Sequence, residues 1–227
     1  MDFSAILHGV SVWALPVLLA ITLHEAAHAY AAWKLGDGTA KALGRVTLNP
    51  IKHVDPVGTV LLPGLLVVFG SPFLFGWAKP VPVVFSRLNN PRRDMALVAL
   101  AGPVTNIFLA VVAALLLGLS DAFPPSFQSW LSQNAENAVI INLILAFFNM
   151  MPILPLDGGR VLTSLLPTPL AIKYAKTERF GMLIVLLLVV VLPRLGDELG
   201  MNLGVFPYLV IEPVRFVWPF FEFLANL

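Results

Sequence analysis

Residues 10–33, VSVWALPVLLAITLHEAAHAYAAW, decide the fold: they form an apolar run that contains two histidines and a glutamate. A run of about 20 apolar residues is long enough to cross the hydrocarbon core of a bilayer as a helix. We therefore predict a membrane-spanning helix here. Because ionisable side chains are costly inside such a helix, His24, Glu25 and His28 indicate a functional site.

The composition of the whole chain agrees with a membrane protein. Hydrophobic residues make up 58% of the 227 residues and charged residues only 12%, about half the charged fraction of a soluble domain. The net charge of +1 gives no indication of a nucleic-acid partner, and the absence of cysteine excludes disulfides and thiolate metal sites. We expect one domain, 1–227, with a core at about 10–160 and accessory membrane segments at about 180–227.

Three further apolar runs are predicted to be helices. They lie at about 95–119, at 136–151 running on to 157, and at 180–192. The segment 203–227 is also apolar but contains three prolines and three charged residues. Whether that segment spans the membrane or lies along its interface stays open at the level of sequence.

The distribution of Lys and Arg predicts the orientation of these helices. Basic residues cluster in 34–52, 79–93 and 160–179, whereas 120–133 contains none. Because cytoplasmic loops carry the excess of Lys and Arg, we expect 34–94 and 158–179 in the cytoplasm, with 120–135 and the N-terminus outside. His24, Glu25 and His28 of this multi-pass protein would then lie nearer the cytoplasmic face. We also expect the membrane to be that of a prokaryotic cell. The apolar segment 57–76 must then enter the membrane and return on the same side. Its glycines and prolines favour such a re-entrant segment over a lipid-facing helix, although a single crossing is the alternative.

The spacing of the two histidines predicts a metal site. His24 and His28 are four residues apart and so share one face of a helix. Glu25, beside them, is placed to take a proton from a water activated by the metal. This H-E-x-x-H pattern is the zinc site of metal-dependent hydrolases. The alternative is a pair of histidines hydrogen-bonded to neighbouring helices.

A catalytic zinc needs a third protein ligand and one open position. Asp157 lies in FNMMPILPLDGGR, residues 148–160, where an unwound segment could turn the carboxylate toward the metal; a simple turn role is the alternative. His53, in NPIKHVDP, is a second candidate for the third ligand. Glu136 and Glu178 lie at the wrong depth for this role.

These motifs resemble the site-2 protease family of intramembrane zinc metalloproteases, over about residues 10–160. The family's elements read HEAAH at 24–28, GPVTN at 102–106 and NMMPILPLDG at 149–158. The resemblance implies that Zn²⁺ is bound by His24, His28 and Asp157. It also implies that Glu25 is the general base. The chain matches a minimal form of the family without a PDZ or CBS domain, so the usual means of substrate selection stays open.

The resemblance further implies that Asn149 and Asn106 hold substrate or polarise its scissile carbonyl; interhelical hydrogen bonding is the alternative for Asn106. The implied fold is an all-α polytopic membrane protein with a three-helix catalytic core and C-terminal helices. A single crossing by 57–76 would place Asp157 across the membrane from the histidines, so the metal site requires the re-entrant segment as well.

The implied activity is hydrolysis of peptide bonds within transmembrane segments of protein or peptide substrates in the lipid bilayer. An unwound substrate can add as an extended strand to an exposed edge. The stretch GWAKPVPVVFSRL, 76–88, suits such an edge strand or a short β-hairpin, and a simple juxtamembrane linker is the alternative. A membrane zinc carrier and a non-catalytic membrane scaffold are the alternative functions. The sequence does not indicate the oligomeric state.

Overall fold

The computed structural model describes residues 3–61, 65, 76 and 78–227, and this part of the chain is helical, without a β-strand. Its α-helices are α1 Phe3–Lys34, α2 Thr39–Ala42, α3 Pro91–Gly118, α4 Pro125–Asn149, α5 Asp157–Leu165, α6 Thr168–Ala175, α7 Glu178–Leu186, α8 Leu192–Leu199 and α9 Glu212–Ala225. Short 3₁₀ helices occupy Pro50–His53, Phe85–Arg87 and Ser120–Ala122, and π-helical turns occupy Pro56–Leu61, Leu187–Val191 and Pro207–Ile211.

Four helices among the described residues are long and apolar enough to cross a membrane: Leu7–Lys34, Pro91–Gly118, Phe127–Asn149 and Glu178–Leu199. The last of these joins α7 and α8 through a π-helical turn. Large apolar side chains on these helices face outward, as lipid contact requires; Phe108 is 63% exposed and Leu183 57%. The prediction of an all-α polytopic membrane protein is therefore confirmed.

The core of the bundle is made by α1, α3 and α4, which pack against one another. Alanines Ala110, Ala113 and Ala114 of α3 contact Val139 and Leu143 of α4, and α9 completes the same cluster. Small residues allow helix backbones to approach closely where lipid offers no hydrophobic driving force. The segment after residue 203 is thus a helix packed on the bundle core.

The third span begins earlier than the sequence predicts. We expected a loop over 120–133 and a helix from about 136, but α4 starts at Pro125, a residue favoured in the first turn of a helix. Its polar part before residue 136 is held against the start of α1, since His8 Nε2 lies 2.9 Å from Gln133 Oε1. Tertiary contacts, rather than apolar periodicity, stabilise this part of the helix.

The chain between α1 and α3 leaves and returns at the same end of the bundle. The Asn89 N–H donates to the Leu35 carbonyl at 2.8 Å, and Leu88 packs with Ala32 and Val98. The end of the first span and the start of the second therefore lie together. The predicted re-entrant segment 57–76 lies mostly outside the described residues.

The segment 78–84, which we call the strap, lies along the end of α1 without forming a strand. Pro80 and Pro82 lack the N–H groups that a β-ladder needs. Three of the remaining N–H groups, those of Lys79, Val81 and Val84, bind acceptors outside the strap. The Lys79 N–H, for example, binds the His53 carbonyl at 2.9 Å. The expected β-hairpin is therefore not found in the described part of 76–88.

The sequence predicted a helix at 136–151 that runs on to Asp157, but the structure has a break in the helix before that residue. Helix α4 ends at Asn149, residues 150–156 form a loop, and α5 begins at Asp157. A Cβ on Gly158 would lie 2.6 Å from the Met151 carbonyl oxygen. Only glycine therefore lets α5 start this close to the loop, which is what places Asp157 at the first position of a new helix.

Candidate metal centre

The two histidines of the H-E-x-x-H pattern lie one turn apart on α1 and face the same point. Both rings are buried, and the Nε2 atoms of His24 and His28 are 3.0 Å apart. Helical spacing alone places them so, because residues i and i+4 lie one above the other.

Asp157 reaches the same point from α5. Its Oδ2 lies 3.3 Å from His24 Nε2 and 3.4 Å from His28 Nε2. Within the described part of the chain, these three side chains form the group that could hold a metal ion, and we call them the metal group. The structure therefore brings together the three ligands that the resemblance implies.

The hydrogen bonds of the two Nδ1 atoms determine which tautomer each neutral histidine adopts. His24 Nδ1 is 2.6 Å from Asn106 Oδ1, and His28 Nδ1 is 2.7 Å from the Val98 carbonyl oxygen. Both partners are acceptors, so each Nδ1 carries the proton and donates. In the neutral rings, each Nε2 then presents a lone pair toward Asp157.

Three acceptor atoms thus converge with no donor among them, and a cation fits this arrangement. Asp157 Oδ2 is buried and has no hydrogen-bond partner. Two imidazole nitrogens and one carboxylate oxygen are a donor set of catalytic zinc, which keeps its fourth position open. A Cβ on Gly102 would come within 2.7 Å of His24 Nε2, so this glycine keeps space free beside the nitrogens.

Glu25 lies beside the metal group and is held by the strap. Its Oε2 accepts the Val81 N–H at 2.9 Å. His24 and Glu25 line a cavity of about 150 Å³ between α1, α4, α7 and the strap. The carboxylate is thus placed at the edge of a space that also contains the histidines.

The two predicted substrate-binding asparagines have different surroundings. Asn149 lines the cavity and donates from Nδ2 to the Leu145 carbonyl at 3.0 Å. Asn106 is completely buried, and its Nδ2 donates to the Ala20 carbonyl at 3.2 Å and to Asn142 Oδ1 at 2.8 Å. The surroundings of Asn106 favour the alternative of interhelical hydrogen bonding.

Asn142 is a residue that the sequence reasoning missed. It is buried on α4 and donates from Nδ2 to the Ala138 carbonyl at 2.8 Å. An amide in the apolar run INLILAFFN was the available signal, since polar side chains inside a membrane helix usually have a function.

The other candidate ligands lie away from the three-residue group. His53 is buried in its loop, where its Nε2 is 3.0 Å from the Thr47 carbonyl oxygen. Glu178 forms an ion pair with Arg160.

Fold and site together define a multi-pass membrane metalloenzyme with two histidines, one aspartate and an adjacent glutamate. A family model described as "Peptidase family M50" matches residues 125–192. The chain is 42% identical over 178 residues to "Putative zinc metalloprotease YwhC" of Bacillus subtilis, covering 77% of this chain and 78% of that relative. The chain therefore belongs to peptidase family M50, the site-2 proteases, and is a zinc metalloprotease.

More distant relatives carry the same description. A protein of Mycolicibacterium smegmatis named Rip2 is 32% identical over 174 residues, which cover 76% of this chain and 64% of the relative. A protein of Methanocaldococcus jannaschii named MJ0611 is 37% identical over 98 residues, which cover 43% of this chain and 47% of the relative. No solved structure gives a significant match.

Proposed function

We propose that this protein hydrolyses peptide bonds within transmembrane segments of membrane-protein substrates, nearer the cytoplasmic face of a prokaryotic cell membrane. The observation that carries the proposal is the position of the metal group. His24 and His28 lie in α1, a helix long and apolar enough to cross a bilayer. A zinc site at that depth meets substrates that are themselves in the membrane.

His24, His28 and Asp157 would hold the zinc ion, beside the cavity that His24 and Glu25 line. Zinc bound there supplies Lewis-acid chemistry, which acidifies water and polarises a carbonyl oxygen. The protein contributes rigid placement of the donors: two from one helix, and the third from a helix start fixed by Gly158.

Glu25 is the general base in this proposal. Its carboxylate takes a proton from the attacking water and returns it to the leaving amine. The Val81 N–H, bound to Oε2 at 2.9 Å, restricts the rotation of the carboxylate. The strap thereby holds the base in place while leaving it beside the cavity.

The cavity favours an extended, apolar peptide. Its wall includes Leu145 and Phe148 of α4 and Met182 of α7, with the Asn149 amide as a polar group among them. A helical substrate hides its carbonyl groups in backbone hydrogen bonds and must unwind to present one. Asn149 would then hold the unwound backbone, while Asn106, engaged behind His24, would orient the zinc ligand.

The test compares the purified protein with Glu25→Gln on a panel of single-span peptides. The wild type should cleave, and Glu25→Gln should lose cleavage while retaining zinc, because an amide cannot accept the proton. Cleavage by Glu25→Gln at the wild-type rate would exclude Glu25 as the base. Zinc flux into proteoliposomes at equal rates for both proteins, without cleavage, would favour the carrier alternative.

A further inference from the structure

A line of hydrogen bonds runs behind the metal group from α4 to His24. Asn142 Nδ2 donates to the Ala138 carbonyl at 2.8 Å, and Asn142 Oδ1 accepts from Asn106 Nδ2 at 2.8 Å. Asn106 Oδ1 in turn is 2.6 Å from His24 Nδ1. All three side chains are buried, so water does not compete for these bonds.

The backbone sets the direction of the whole line. The Ala138 carbonyl can only accept, so it fixes Nδ2 of Asn142 and turns Oδ1 toward Asn106. That oxygen, with the Ala20 carbonyl, fixes Nδ2 of Asn106 and turns its Oδ1 toward His24. His24 Nδ1 must then donate, which in the neutral ring leaves Nε2 unprotonated.

We propose that Asn142 is a positioning residue for the zinc site: it fixes the Asn106 amide and, through it, the tautomer of His24. If the Asn106 amide turned over, its NH₂ group would face His24 Nδ1. That nitrogen would then have to accept, and the proton would move to Nε2, where zinc could not bind. This inference rests on the proposed zinc site and adds a residue that touches neither zinc nor substrate.

The Ala20 carbonyl alone holds the Asn106 amide less firmly than both acceptors together. Its distance to Asn106 Nδ2 is 3.2 Å, against 2.8 Å for Asn142 Oδ1. Loss of an outer hydrogen-bond partner of a metal-binding histidine typically weakens metal affinity about 10- to 100-fold. We expect the lower part of that range for Asn142, since one acceptor remains.

The experiment measures zinc affinity of Asn142→Leu by chelator competition, with Asn134→Leu as the matched control. Asn134 is also buried on α4 and also donates from Nδ2 to the carbonyl four residues before it, at 2.9 Å. Both variants lose the same kind of bond. Only Asn142→Leu should weaken zinc binding, by about tenfold, and Asn142→Asp, which retains an acceptor for Asn106, should stay near the wild-type affinity.

A second measurement reads the tautomer in zinc-free protein. The chain has four histidines, so nitrogen NMR of labelled histidine can resolve His24. The wild type should show the Nδ1–H form, and Asn142→Leu should show a mixture. In an Asn106→Ala background, Asn142→Leu should add little further loss of zinc affinity, because the two residues act in series.

The inference is overturned if Asn142→Leu and Asn134→Leu bind zinc equally and His24 shows the same tautomer in both. Absence of zinc binding by the wild type would instead overturn the proposed function. The two failures are therefore distinguishable.

Discussion

At the scale of single residues, the third zinc ligand is the most direct test of the site. Loss of a hydrogen-bond partner of a metal ligand typically weakens metal affinity about 10- to 100-fold. Asp157→Ala should weaken zinc binding by more than this, because Oδ2 is one of the three converging ligand atoms. His53→Ala should bind zinc as the wild type does, because its Nε2 is committed to the Thr47 carbonyl. Metal analysis of the two purified variants decides the question, and the opposite pattern would make His53 the ligand.

The surroundings of Asp37, just beyond the end of α1, predict that its contribution to the free energy of unfolding depends on pH. Burial alone would raise its pKa, but hydrogen bonds from the Thr39 hydroxyl and from the Val84 and Thr39 N–H groups lower it below 3.8. The stabilisation is therefore complete above about pH 4 and is lost as the pH falls through the lowered pKa.

Asp37→Asn should accordingly destabilise the protein by about 2 kcal/mol at pH 7. The reason is that a neutral amide replaces the carboxylate that accepts the Val84 N–H of the strap. The difference in melting temperature between wild type and variant should shrink below about pH 4. A difference that stays constant or grows in acid would show that Asp37 does not act through its charge. Thermal unfolding in detergent across this pH range gives the measurement.

The proximity of His24 and His28 could be predicted from the sequence because the information for it is local. The i, i+4 spacing of His24 and His28 sets their geometry, and few other ionisable residues lie within apolar runs. The partners behind the histidines were not predictable, since Asn142 and the Val98 carbonyl come from other helices. Which amide faces which ring depends on packing, and periodicity does not report it.

At the scale of elements, α7 supports the loop that precedes Asp157. A Cβ on Gly181 would collide with the backbone carbonyl of Leu154 and lie 2.9 Å from Pro155 Cδ. Helix and loop are thus in direct backbone contact. A segment that the sequence identifies only as an accessory helix therefore packs against the loop that leads to Asp157.

Gly181→Ala should destabilise the protein by about 1–3 kcal/mol, the usual effect of overpacking, and should weaken zinc binding through the displaced loop. Gly9→Ala is the matched control, since Gly9 lies in α1 with nothing within 4 Å of the added Cβ. Alanine there should be neutral or stabilising by up to about 1 kcal/mol. Equal thermal stability of the two variants would show that α7 does not depend on this contact.

Helix existence was readable from the sequence, whereas helix ends and the strap were not. Apolar length gave the spans, but the polar part of α4 before residue 136 is held by contacts such as that between Gln133 and His8. The β-branched run after Pro82 favoured a strand, yet the Val81 and Val84 N–H groups bind carboxylates on α1 and just beyond it. In both cases contacts distant in sequence outweighed local preference.

At the scale of the whole molecule, the bond from Asn89 to Leu35 predicts that both ends of the intervening chain lie on one side of the membrane. Single cysteines at Ala42→Cys and Asn89→Cys, in a chain without cysteine, should both react with an impermeant thiol reagent from the same face of oriented vesicles. Both positions are exposed. Reaction from opposite faces would contradict the proposed re-entrant segment.

The hydrogen bond from Asn89 to Leu35 also holds the two ends of the intervening chain together at one point of the bundle. Lengthening or exchanging a segment whose two ends are already held together adds little to the entropic cost of loop closure, because this cost grows only slowly with the length of the segment. The helices that carry the zinc ligands would keep their positions. Exchange of this segment between relatives could therefore change which substrates are cut while the zinc ligands stay in place. The exchanged segment would have to retain the Val81 N–H that binds Glu25.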